Sequence, residues 1–453
     1  MDGLLRSCLA ALVLGLSLAP AFADGRPAAA PAAYARAVDA VAQAYVDAGV
    51  FSGVILVARD GKPILRRAYG LANREWNVPA TPEARFRLGS ITKQFTATAI
   101  LQLAEQGKLG LDDPIAKYYP QAPAAWAPVT LRHLLTHTSG IGDYTALPGF
   151  FAKQSQTQRT PEEIIALTRD MPLAFKPGSK FVYDNTGYIL LGYVIEKVSG
   201  QPYAAYLQDH IFGPLGLKNT GYDVSETILP QRAAGYTLVA GEVRNAPYLA
   251  MSLPYAAGSL YSTADDLLTW QRALQAGKVL KPASVAAMFT DQGFGYGYGQ
   301  FISKVNGRRM WAHAGGINGF STDLVLFPDD RVSLVILSNN DHAPIDQLFD
   351  RTTGFYFEPG TVAEALRQAT PMEIAGYAGA YRMTPALTLT VTREGGKLYA
   401  QAASGRKNEL RHEVGATWFI ASPRLTITFA KGTPSPQIVV RQGGKDTVAP
   451  RIG

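Results

Sequence analysis

The chain of 453 residues, 17% charged and 47% hydrophobic with a single cysteine, has the composition of a folded globular protein, which excludes disordered and fibrous classes. Beyond the N-terminus no apolar run is long enough to span a bilayer, so a multi-span membrane protein is excluded too. The net charge of +7 comes from 43 basic and 36 acidic residues scattered singly, so no nucleic-acid partner is expected, and the excess is compatible with work near an anionic cell envelope.

Residues 1–23 read as a secretory signal peptide: Arg6, the apolar stretch Leu9 to Leu18, then Pro20 and the small-x-small triplet Ala21-Phe22-Ala23, with cleavage expected after Ala23. An uncleaved anchor is the alternative, disfavoured by the shortness of the run. Cys8 lies inside this segment, so the mature chain is expected to have no disulfide, no cysteine nucleophile and no thiolate metal ligand. The location implied is periplasmic or secreted.

An Ala/Pro-rich leader over 24–33 precedes an amphipathic helix with Val38, Val41, Ala42, Tyr45 and Val46 on one stripe. Val54 to Ala58, the turn Asp60-Gly61 and Ile64 to Tyr69 predict a β-hairpin. Helical spacing returns from Ser90 to about Leu109 and again from Thr186 to Val198, within a long, mostly helical middle. Strands resume at Met310 to Gly315, Phe320 to Phe327 and Val332 to Leu337. This order predicts an α+β domain over 34–360 in which both ends of the segment build one antiparallel sheet flanked by helices. After a polar, weakly patterned stretch around 360–372, Leu387, Leu389 and Val391 alternate with threonines, as do Leu425, Ile427 and Phe429. Residues 373–453 therefore predict a small all-β domain with its own apolar face, a closed barrel or a strongly curled sheet.

Three short motifs carry candidate chemistry. In Ser90-Ile91-Thr92-Lys93 the i, i+3 spacing puts an amine against a hydroxyl, and a lysine whose pKa is lowered by burial can take the proton that a serine nucleophile must lose. Ser90 as a helix cap is the plain alternative, and the same pattern recurs at Ser404 and Lys407 without assigned function. In Tyr183-Asp184-Asn185 an extended backbone projects Tyr183 and Asn185 to one side; against this stand Asn185 as an N-cap and Tyr183 as a core aromatic. In His313-Ala314-Gly315-Gly316 small residues beside a polar one let a substrate backbone lie along a strand. His133 and His137 have the spacing of a zinc helix, but Leu134 stands where the metalloprotease pattern needs Glu. No metal and no cofactor are expected, and no Gly-x-Ser-x-Gly elbow points to an α/β-hydrolase.

Taken in order, Ser-x-x-Lys, Tyr-x-Asn about a hundred residues on, and His-x-Gly on a later strand resemble the serine penicillin-binding and β-lactamase superfamily. Within it the chain resembles the class C β-lactamase and D-alanyl-D-alanine carboxypeptidase branch, supported by Phe86 to Lys93, His133 to Ile141 and Tyr296-Gly297-Tyr298-Gly299. The resemblance implies a β-lactamase/transpeptidase-like fold followed by a small barrel. It implies a serine hydrolase working through an acyl-enzyme on a small peptide amide or ester, of carboxypeptidase, D-aminopeptidase or esterase type. A class C-like β-lactamase, or a non-catalytic penicillin-recognising protein, is the alternative. The roles implied are Ser90 as nucleophile, Lys93 as its proton acceptor and Tyr183 as proton shuttle. Asn185, His313, Gly315 and Gly316 would bind substrate, with the Ser90 and Gly316 N–H groups as oxyanion hole. Two departures stand out: Asp184, where the class C pattern favours a small residue, is expected to put a charge beside the cleft, and His313 replaces a lysine, with a charge expected to change near neutrality.

Overall fold

The computed structural model describes residues 31–403 and 405–452; the expected signal peptide, residues 24–30 of the leader, and Ser404 lie outside the described residues. Helix α1 runs Pro31–Asp47, so the last residues assigned to the leader are already helical. The hairpin forms as strands β1 (Gly53–Arg59) and β2 (Lys62–Tyr69). The middle of the chain supplies the helices α2 (Thr92–Glu105), α3 (Thr186–Ser199) and α4 (Ala264–Gln275). Strands β3 (Phe301–Val305), β4 (Arg308–Ile317), β5 (Phe320–Phe327) and β6 (Val332–Ser338) follow.

These strands form one antiparallel sheet in the order β3-β4-β5-β6-β1-β2. The early hairpin thus joins the late meander through the pairing of Gly53 with Ser338 and Val57 with Leu334. Period-two alternation divides the central strands between two cores. Val54, Leu56, Leu324, Val335 and Leu337 face a helical layer containing Phe95 and Trp270. Ile55, Val57, Val325, Leu334 and Ile336 face α1 and the helix α5 (Ile345–Phe357). Burial on both faces explains why β1 and β6 read as nearly continuous apolar runs.

The stretch around 360–372, too weakly patterned to predict an element, forms two short helices, α6 (Gly360–Leu366) and α7 (Pro371–Tyr377). Thr370 and Glu373 cap α7 reciprocally. Beyond them eight strands close into an antiparallel barrel: β7 (Gly379–Thr384), β8 (Leu387–Glu394), β9 (Lys397–Ala402), β10 (Asn408–Val414), β11 (Thr417–Ile420), β12 (Leu425–Phe429), β13 (Gln437–Gln442) and β14 (Lys445–Ile452). The predicted alternation fills its interior with Leu389, Val391, Leu398, Ile427 and Phe429. The barrel also packs on the first domain. Val414 and Phe419 belong to the core beneath the sheet, and the Phe419 ring packs on Tyr45 of α1 at 4.6 Å between centroids. Buried Glu413 accepts hydrogen bonds from the Tyr45 hydroxyl and from Arg351 of α5. A barrel with its own apolar face is legible along one strand, but its second face, turned outward onto another domain, is not.

Candidate active site

Ser90 sits in a 3-10 turn, Gly89–Ile91, that leads directly into α2. Two glycines bring this turn against strand β4. Gly89 has φ +55°, and a Cβ there would meet the Gly316 nitrogen at 2.9 Å; a Cβ on Gly315 would collide with the Leu88 carbonyl oxygen and Thr322 Oγ1. Gly315 is thus a packing requirement before it is a binding residue. Gly316 has open space where a Cβ would lie.

Lys93, one helical turn on, is fully buried. Its Nζ lies 3.1 Å from Ser90 Oγ, 2.9 Å from Asn185 Oδ1 and 2.9 Å from the Ala257 carbonyl oxygen. Burial pushes its pKa down to about 7, opposed by the negative charges of Asp143 and Asp184. A neutral amine has two hydrogens and one lone pair. Asn185 Oδ1 and the Ala257 carbonyl can only accept and therefore take both hydrogens, which leaves the lone pair for the Ser90 hydroxyl. Once deprotonated, the amine is therefore presented to Ser90 as a proton acceptor.

Tyr183 stands over the same amine, its ring centroid 4.8 Å from Lys93 Nζ. Burial pushes the phenol up while the neighbouring Ser90 hydroxyl pulls it down. The Tyr183 hydroxyl is close to Ser90 but out of hydrogen-bonding geometry, and so is buried with no hydrogen-bond partner among the described residues. Asn185 occupies the residue before α3 yet makes no side-chain cap there. Instead its Nδ2 donates to Asp143 Oδ2 at 3.3 Å and Thr145 Oγ1 at 3.2 Å, which aims its oxygen at Lys93.

Asp184 does not face the cleft. It is buried, accepts the Gly187 N–H at 2.5 Å and so serves the N-terminus of α3. Burial pushes its carboxyl up to about 7, opposed by that N–H and by Lys93. Its own N–H donates to His137 Nδ1 at 3.2 Å. His137 packs against Tyr183, 4.2 Å between centroids with the rings tilted by 33°, while His133 Nδ1 accepts the Thr130 N–H in a reciprocal helix cap. The two imidazoles of the zinc-like spacing thus have separate structural duties.

His313 departs from its expected behaviour. It is buried, its Nδ1 is 2.7 Å from the Ala314 carbonyl oxygen, and its Nε2 is 3.0 Å from the Tyr296 hydroxyl. A carbonyl only accepts, so Nδ1 carries the hydrogen and Nε2 accepts from the tyrosine. Burial first, then the charge of Lys93, lowers the imidazole pKa to about 3. His313 is neutral throughout the neutral range and offers no charge to a substrate.

The structure brings Ser90, Lys93, Tyr183 and Asn185 together around one cleft, with Gly316 on its wall. A cavity of about 500 Å³ opens on Ser90, Tyr183, Asn185 and Gly316 and is walled by Tyr144, Phe150, Phe151, Leu249 and Leu253. Sequence reasoning missed Asp143, Thr145 and the Ala257 carbonyl, which orient the polar groups; His137, noted there for its spacing from His133, packs against Tyr183. No local signal distinguishes the first three.

Fold and site together define a serine hydrolase of the β-lactamase fold. The family model described as Beta-lactamase matches residues 38–353, and the chain belongs to that family. It is 28% identical to penicillin-binding protein 4* of Bacillus subtilis (strain 168) over 436 residues, covering 88% of this chain and 95% of the relative. It is 31% identical to esterase EstB of Burkholderia gladioli, covering 59% and 79%. The octameric penicillin-binding protein homologue from Pyrococcus abyssi superimposes with a TM-score of 0.66 at 25% identity, covering 91% of this chain and 99% of that one.

Proposed function

We propose that the protein hydrolyses a small peptide amide or ester through an acyl-enzyme on Ser90, in the periplasm or outside the cell. The observation that carries the reading is the buried Lys93 amine, whose two acceptor-only partners leave its lone pair to Ser90 Oγ at 3.1 Å. In this mechanism Ser90 Oγ attacks the substrate carbonyl while its proton passes to Lys93 Nζ. The Ser90 and Gly316 N–H groups hold the oxyanion. Tyr183, placed over Lys93, relays the proton to the leaving nitrogen or oxygen as the bond to the acyl carbon breaks. Water, deprotonated by the same pair, then releases the acid and restores Ser90. Asn185 holds the acyl amide. The apolar wall of Tyr144, Phe150, Phe151, Leu249 and Leu253 favours an apolar acyl side chain. Relatives named as an esterase and a D-aminopeptidase support the reaction class, and the N-terminal segment supports the location.

The test is intact-protein mass after incubation with a fluorophosphonate. A single adduct mapped to Ser90 and absent from Ser90→Ala is the expected result. Equal labelling of the variant, or no labelling of either protein, would end the assignment.

A further inference from the structure

The second cavity at the nucleophile, about 470 Å³, opens on Ser90, Tyr183, Gly315 and Gly316 and has Arg424 in its lining. Arg424 belongs to the barrel, on the turn between β11 and β12, and no other barrel residue lines either cavity that meets Ser90. Among the described residues lining these two cavities it is also the only cation, since His313 is neutral. A guanidinium stays charged at every working pH. One Arg424 N–H is committed, from Nη2 to the His342 carbonyl oxygen at 2.9 Å, and this holds the fork at the cavity rim.

Two carboxylates share the lining. Asp341 is occupied: it accepts the Gly319 N–H at 2.9 Å and lies 2.6 Å from His342 Nδ1. Asp346, exposed in the first turn of α5, has no such partner among the described residues, and its charge opposes an anion in this cavity; Asp323 lies near it. The strand that leads into the turn of Arg424 is anchored, because Phe419, five residues before it, is packed against Tyr45 in the core beneath the sheet. This cavity includes Tyr183 but not Asn185, whereas the apolar one includes both, which assigns it to the leaving side of the bond.

We infer that the barrel supplies a specificity residue, Arg424, that recognises a carboxylate on the leaving portion of the substrate. The inference rests on the hydrolytic reading of Ser90 and narrows its substrates to those whose leaving group is acidic. It also gives the barrel a part in selection that neutral His313 cannot play.

Matched esters test it: 4-acetoxybenzoate, whose leaving group bears a carboxylate, against the neutral 4-acetoxybenzamide. Arg424→Gln is expected to lower the ratio of kcat/KM, benzoate over benzamide, by about 10–100-fold through KM, the range of a lost charge-assisted hydrogen bond. Arg424→Lys should restore part of that ratio, and Asp346→Asn should raise it. A ratio unmoved by Arg424→Gln, or both esters falling together, overturns the inference while leaving the hydrolytic reading intact. Should neither ester be turned over by the parent protein, the hydrolytic reading fails on these substrates. Calorimetric titration of 4-acetamidobenzoate into Ser90→Ala, with and without Arg424→Gln, then still decides the inference: binding lost with the arginine supports it, and equal or absent binding in both overturns it.

Discussion

Lys93→Met replaces the buried amine with an apolar side chain of similar length. The fall of its pKa from 10.5 to about 7 is a linkage statement: between these values the unfolded chain binds a proton that the folded chain does not. Folding is therefore penalised by about 4 kcal/mol at pH 7, and the penalty shrinks as pH rises towards 10.5, at about 1.4 kcal/mol per pH unit. At pH 9 about 2 kcal/mol of it is left. Methionine removes this penalty but also abandons the contacts to Ser90, Asn185 and Ala257, a loss that does not depend on pH in this range. Comparing the proteins at two pH values cancels that constant. Relative to the parent, Lys93→Met should lose about 2 kcal/mol of its stability difference between pH 7 and pH 9, and hydrolysis should fall by about 10²–10⁴. Denaturant unfolding of both proteins at both pH values measures this. A difference that is the same at pH 7 and pH 9 would refute the reasoning, because it would mean that the amine is buried without a shifted pKa.

The same shift sets the pH profile: kcat/KM on a neutral ester should rise through about pH 7 as Lys93 loses its proton. His313→Gln should leave that midpoint in place, since His313 is already neutral; matched pH–rate profiles check both statements. Glu413→Ala leaves Arg351 and the Tyr45 hydroxyl without their buried partner and should cost about 3–5 kcal/mol, read as a lowered unfolding midpoint with earlier proteolysis at the barrel junction. Gly315→Ala forces a Cβ into the Leu88 carbonyl and should destabilise by about 3 kcal/mol or more, with Ser90 labelling slowed as the turn is pushed off β4.

What was legible in the chain alone follows from covalent spacing. The i, i+3 interval of Ser90 and Lys93 and the i, i+2 interval of Tyr183 and Asn185 place each pair on a common side whatever surrounds them. Nearly continuous apolar runs at 54–58 and 332–337 and alternation along 387–391 and 425–429 reveal strands, because a pleated backbone sends successive side chains to opposite faces, both buried in the first case and one in the second. The antiparallel sheet and an all-β terminal domain were readable from that signal, whereas closure of the latter into a barrel was one of two readings. Direction and environment were not. Asp184 has the same local sequence whether it points into the cleft or back under α3, and only the packing of α3 against His137 and Lys93 turns it inward. His313 loses its charge because Tyr296 and the strand's own carbonyl enclose it. Asp143, the Ala257 carbonyl and Arg424 reach the site from segments 40 to more than 300 residues away from the residues they serve. Such contacts leave no period in the sequence. They exist only once the chain has folded, because a desolvated site is made by whatever distant groups close around it.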